Sequence, residues 1–97
     1  YPDRQTIAFV GDGGFLMSGQ ELTAAVQHRL PIKIVLCDNN AWGSILVSQQ
    51  RRYGEPGTFG TRLHSPDFAM VARGYGLDAF TVEKTDARCR SLKRLQS

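Results

Sequence analysis

A chain of 97 residues, 41% hydrophobic and 22% charged, has an ordinary globular composition and a length for at most one domain. Its apolar runs fall well short of the roughly 20 residues that a bilayer crossing needs, and Tyr1-Pro2-Asp3-Arg4 lacks the basic-then-apolar plan of a secretion signal, so a cytoplasmic setting is expected. Twelve Lys and Arg against nine Asp and Glu leave a net charge of +3, densest in residues 84–94, where no aromatic residue interleaves the basic ones; a solvated helix face is expected there rather than a nucleic-acid surface.

The first element is the apolar run Thr6-Ile7-Ala8-Phe9-Val10, closed by Gly11. A second run, Ile32-Lys33-Ile34-Val35-Leu36-Cys37, is rich in β-branched residues and closed by Asp38-Asn39-Asn40. Near-continuous apolar runs of this length fit strands of a parallel sheet covered on both faces. Cys37 then reads as a buried thiol in a reducing compartment; it makes no metal-ligand spacing with Cys89, His28 or His64. Between the runs, Ser18-Gly19-Gln20-Glu21 has the form of a capping box. Leu22, Ala25, Val26 and Leu30 follow at helical spacing, and Pro31 ends the pattern. Strand, helix and strand make a βαβ unit.

Residues 42–52 predict a second helix, and residues 53–64, with three glycines and Pro56, a long loop. Ser65-Pro66-Asp67 reads as a helix start, with Ser65 as cap and Pro66 in the first position. Phe68, Val71, Ala72 and Tyr75 supply that helix's apolar face and Gly76 its stop. Residues 79–82 predict a third strand, and Thr85 onward a last, poorly amphipathic helix. The order argues for an α/β sheet. Three strands with so few helices leave sheet faces bare, so the missing cover is expected from an absent part of the chain or from a partner.

Chemistry concentrates at two turns. Gly11-Asp12-Gly13-Gly14 follows the first strand and Asp38-Asn39-Asn40-Ala41 the second. Neighbouring parallel strands lie about 4.8 Å apart, which brings both turns to one edge and Asp12 close to Asn39. A carboxylate, an amide oxygen and a turn carbonyl are hard oxygen donors of the kind magnesium takes, and magnesium usually shares its site with phosphate. Glycines at positions 11, 13 and 14 let the backbone approach a phosphate. The dinucleotide fingerprint fails at Leu16, and no Gly-Lys-Ser/Thr loop is present.

Gly-Asp-Gly followed, after a helix and a hydrophobic strand, by an Asn-Asn pair resembles the thiamine diphosphate motif of thiamine-dependent enzymes. Residues 11–28 resemble the corresponding helix of the acetolactate synthase, pyruvate oxidase and benzoylformate decarboxylase group, and so do Asn39-Asn40-Ala41-Trp42-Gly43-Ser44 and residues 65–76. The resemblance implies an incomplete three-layer αβα domain with a parallel sheet. It implies a magnesium ion held by the Asp12 and Asn39 side chains and the Ala41 carbonyl. Gly11, Gly13, Gly14, Trp42 and Gly43 complete the implied cofactor-binding set, with Trp42 packed over the turn that presents Asn39. Asp38 departs from the group's usual first Asn.

Phe15, Leu16 and Met17 are expected in the core or pocket wall, Glu21 as the capping-box partner, and His28 as structural. The implied activity is that of a 2-oxo acid decarboxylase or acetolactate synthase-like carboligase, assembled as a homodimer or homotetramer. The glutamate that activates the cofactor belongs to another domain in this group, so the 97 residues alone are expected to be inactive. From Asp86 onward the resemblance fades, and residues 86–97 carry no assigned function. The rival reading is a non-catalytic α/β piece that binds magnesium with a phosphate compound, or a partner chain.

Overall fold

The computed structural model describes residue 1 and residues 3–84. Two compact units emerge, Tyr1–Pro66 and Asp67–Ser97.

In the first unit, β1 (Thr6–Gly11) leads directly into α1 (Asp12–Ser18); a 3-10 turn at Gly19–Glu21 and α2 (Leu22–Gln27) then carry the chain to β2 (Ile32–Cys37). The strands pair in parallel, with Thr6 opposite Ile32 and Gly11 opposite Cys37. The mixed α/β class with parallel strands is therefore the observed one. The sheet is covered on one side only, in line with the bare faces expected. Leu22 and Ala25 are buried, and with Phe15 they face Ala8, Val10, Ile32 and Ile34 of the sheet across a shallow hollow. On the other face Ile7 is 48% and Phe9 76% exposed, because no described element packs there. Cys37 is exposed as well, since it ends β2 at the open edge rather than in its middle.

The capping box does not form. Ser18 makes no side-chain cap bond, because it ends a helix that already began at Asp12, and the Gly19 amide donates back to the Phe15 carbonyl. Gly19 sits against the Phe15 ring, and the helix breaks there before α2 restarts. Leu16 and Met17, expected in the core or pocket wall, are 45% and 67% exposed.

The end of α2 also comes earlier than Pro31. Arg29 takes a left-handed conformation (φ 50°), its amide donates to Val26 and the Leu30 amide to Ala25, which closes a Schellman motif with arginine where glycine is usual.

Beyond β2, α3 (Gly43–Tyr53) ends at Gly54, and a 3-10 turn at Glu55–Gly57 starts the return. Gln49 holds that return: its Nε2 donates to the Phe59 carbonyl at 3.0 Å, while its Oε1 accepts the Phe59 amide at 3.2 Å and the Thr61 hydroxyl at 2.9 Å.

In the second unit, α4 (Phe68–Gly74) is capped by Asp67, whose carboxylate accepts the Met70 amide at 2.9 Å, rather than by Ser65. Gly76 (φ 91°) stops it as expected, its amide donating to Arg73 and that of Leu77 to Ala72. Residues 79–82 form no strand; the Ala79 carbonyl accepts from the Arg73 guanidinium at 2.9 Å. The expected helix from Thr85 and the tail 86–97 lie outside the described residues. Among those described, no helix is long and apolar enough to cross a membrane.

Candidate functional site

Because β1 and β2 end side by side at Gly11 and Cys37, the turns after them open at one edge, where α/β sheets take ligands. Asp12 enters from the first turn and is 1% exposed. Its Oδ1 accepts the Gly13 amide at 2.9 Å and its Oδ2 the Ala41 amide at 3.1 Å. From the second turn, Asn39 Oδ1 accepts the same Ala41 amide at 3.2 Å. A carboxylate and a carboxamide distant in sequence thus meet on a single N–H.

Ala41 is held in place by an antiparallel bridge to Arg62. The Trp42 amide donates to the Thr61 carbonyl at 2.8 Å, and the Leu63 amide to the Asn40 carbonyl at 2.7 Å. With those flanking bonds made, the N–H and C=O of Ala41 itself face away from residues 61–63. The N–H is committed to Asp12 and Asn39. Among the described residues no hydrogen bond reaches the Ala41 carbonyl.

Two glycines lie in close contact with side chains of the site. A Cβ on Gly13 would lie 2.5 Å from Cε3 of Trp42, so the indole fills the space a side chain would take. The indole thus rests on the Asp12 turn. A Cβ on Gly43 would lie 2.8 Å from Nδ2 of Asn39 and displace the carboxamide. A cleft of about 340 Å³ opens here, lined by Gly11, Asp12, Gly13, Gly14, Asn39, Ala41, Trp42 and Gly43, together with Cys37 and Ser44. Gly43 and Ser44 begin α3, whose first amides have no partner within the helix and suit an anionic group.

Burial pushes the Asp12 carboxyl up, but the Gly13, Ala41 and Asn39 amides outweigh it and hold the group below its ordinary value. Asp12 is therefore an anion at neutral pH. Asp38 is exposed; its Oδ1 accepts the Asn40 amide at 3.0 Å and the Ser65 hydroxyl at 2.7 Å. The same hydroxyl lies 3.4 Å from Oδ2 of Asp12. Ser65 is the residue that sequence reasoning misses. Its spacing before Pro66 and Asp67 matches a helix start, and nothing local signals a contact with turns so far upstream.

Among the described residues no cluster of three or more His, Cys, Asp or Glu is placed to hold a metal. One buried carboxylate, one amide oxygen and one open carbonyl instead make a partial oxygen set. Such a set suits a hard cation whose remaining positions are filled by phosphate and water, and does not suit zinc.

Residues 1–96 match the family described as "Thiamine pyrophosphate enzyme, C-terminal TPP binding domain". The chain belongs to that family. It is 35% identical over 102 residues to 3D-(3,5/4)-trihydroxycyclohexane-1,2-dione hydrolase of Bacillus subtilis, an alignment covering 97% of this chain and 16% of that protein. Against the acetolactate synthase large subunit of Porphyra purpurea it is 36% identical over 94 residues, covering 96% of this chain and 16% of the relative. The thiamine diphosphate-dependent 4-hydroxybenzoylformate decarboxylase of Rhodococcus jostii RHA1 superposes with a TM-score of 0.87 at 26% identity, over 98% of this chain and 18% of that one. The chain thus spans about one sixth of the length of these curated relatives. Membership in the thiamine pyrophosphate enzyme family implies thiamine diphosphate as the cofactor of this domain.

Proposed function

We propose that the cleft binds the diphosphate end of thiamine diphosphate through a magnesium ion, as part of an enzyme that decarboxylates a 2-oxo acid or joins its acyl group to a second carbonyl compound. The observation that carries this reading is the convergence of Asp12 and Asn39 on the Ala41 amide at the cleft. A lone carboxylate at a diphosphate site would repel it; a cation between the two reverses the sign. Asp12, Asn39 and the Ala41 carbonyl would hold the ion, and Gly11, Gly14, Gly43 and Ser44 would lie against the phosphates. Trp42, resting on Gly13, closes one wall.

When bound, thiamine diphosphate supplies an electron sink for bonds beside a carbonyl. The contribution of this chain is placement: a buried anion and an oriented amide fix the cofactor's charged end. The names of the relatives extend the substrate class from 2-oxo acids to a cyclic 1,2-dione, both of which present vicinal carbonyl or carboxyl carbon. The acting assembly would be a homodimer or homotetramer, and the exposed, unpaired Cys37 suits a reducing cytoplasm.

Trp42 is the single tryptophan of the chain and reports on the cleft directly. Its fluorescence is expected to respond to thiamine diphosphate only when magnesium is present, and to lose that response in Asp12→Ala. A response to ADP as large as that to thiamine diphosphate would overturn the reading.

A further inference from the structure

We propose that Ser65 is a positioning residue for the Asp12–Asn39 pair, acting through Asp38 and Asn40. The inference rests on the magnesium–diphosphate reading of that pair. Asn39 sits in an irregular turn, so no helix or strand ladder fixes its carboxamide. Two neighbours hold the turn instead. Asn40 is left-handed (φ 55°), and its amide is tied to Asp38 Oδ1 at 3.0 Å. Ser65 locks both residues from the returning chain. Its hydroxyl donates to Asp38 Oδ1 at 2.7 Å, and its amide to Asn40 Oδ1 at 3.3 Å.

Ser65 does not line the cleft and reaches it through Asp38 and Asn40. Pro66 follows it and restricts Ser65 to extended backbone, which suits the double attachment. The hydroxyl also lies 3.4 Å from Asp12 Oδ2, but it carries one proton, and the nearer acceptor is Asp38. Asp38 is thereby anchored by two donors, the Asn40 amide and the Ser65 hydroxyl, which fixes the turn that carries Asn39. Loss of the hydroxyl frees that carboxylate and loosens the turn that aims Asn39. Groups standing behind metal ligands in this way typically change metal affinity by about 10–100-fold.

The test titrates magnesium into the 97-residue chain with saturating thiamine diphosphate and follows the fluorescence of its single tryptophan, Trp42. Ser65→Ala is expected to raise the magnesium midpoint at least about tenfold while the final amplitude stays that of the unsubstituted protein. Ser65→Thr, which keeps the hydroxyl, restores the original midpoint. Asp38→Ala is expected to shift the midpoint in the same direction. The double variant should shift no further than Asp38→Ala alone, as residues acting in one network are non-additive. An unchanged midpoint in Ser65→Ala, or shifts that add in the double variant, overturns the inference. Should Ser65→Ala fail to fold, an unchanged midpoint in Asp38→Ala does the same. An unsubstituted protein that does not respond to magnesium, or an Asp12→Ala variant that still does, sinks the underlying reading of Asp12 and Asn39 and this inference with it; a normal response that is lost in Asp12→Ala beside an unchanged midpoint in Ser65→Ala sinks this inference alone.

Discussion

Gly13 and Gly43 flank the same cleft but answer to different neighbours, and their substitution should separate stability from binding. In Gly13→Ala the new methyl meets the rigid indole of Trp42. Overpacking of this kind costs about 1–3 kcal/mol, to be read from urea midpoints, with a changed Trp42 emission. In Gly43→Ala the methyl meets the end of the Asn39 side chain, which can rotate away cheaply. Stability is expected to move by less than about 1 kcal/mol, while magnesium-dependent cofactor binding weakens about 10–100-fold, measured by calorimetry.

Asp12, which is buried, dominates the acid limb of stability, and the exposed Glu55 adds little to it. Asp12 lies below its ordinary value of 3.8, with burial outweighed by the hydrogen bonds it accepts from the Gly13, Ala41 and Asn39 amides. Glu55 lies below 4.5 because Gln50 and Arg62 favour its ionised form. Both carboxyls are depressed on folding, so their contributions are complete above the unfolded values and vanish as pH falls through the folded ones. Denaturation midpoints of the metal-free protein should change little above about pH 5 and fall progressively below about 4.5; a midpoint that rose on acidification would contradict the assignment. At this scale the proximity of Asp12 and Asn39 was legible in the sequence, because neighbouring parallel strands bring the turns after them to one edge. Ser65 was not, since Ser before Pro-Asp matches a cap and its real partners are remote.

At the scale of elements, local patterns succeeded where one residue decides the backbone. They failed where two patterns competed for the same segment. Gly76 stops α4 because glycine adopts φ 91° without strain. The pattern Ser18-x-x-Glu21 is equally good on paper, yet the helix begun at Asp12 overrides it, and Ser18 ends a helix instead of starting one. Both strands were recognisable from their apolar runs, but the third was not a strand, as apolarity does not supply a neighbouring ladder.

Arg29 marks a second gap between pattern and structure, since a left-handed arginine leaves no signal. A side chain in that region costs roughly 1–2 kcal/mol that glycine does not incur. Arg29→Gly is therefore expected to stabilise the protein by about 0.5–1 kcal/mol, after the added flexibility of unfolded glycine is counted; thermal denaturation checks it, and a lower midpoint would show that the arginine side chain makes a compensating contact. The Glu55–Arg62 pair deserves no such weight. Both partners are more than half exposed, and exposed pairs contribute little.

At the scale of the whole molecule, the chain holds one wall of a site and little core. Leu22, Ala25 and Ala41 are the buried apolar residues described, and the Ile7–Phe9 side of the sheet is open. That bareness agrees with a span of about one sixth of its relatives. The 97 residues by themselves are expected to turn over no 2-oxo acid. A purified chain that released carbon dioxide from such a substrate above the protein-free rate would refute this.

The pairing of Gly11 with Cys37 has a last consequence. Side chains alternate along a strand, so a slip of β2 by a single residue would invert every side chain it carries and set a different residue opposite Gly11. The pocket is thus a gauge of strand alignment. A mispaired form could keep its helices and its spectroscopic helicity and still have no grip on a metal, which makes ligand binding a sharper assay of correct folding here than secondary-structure content.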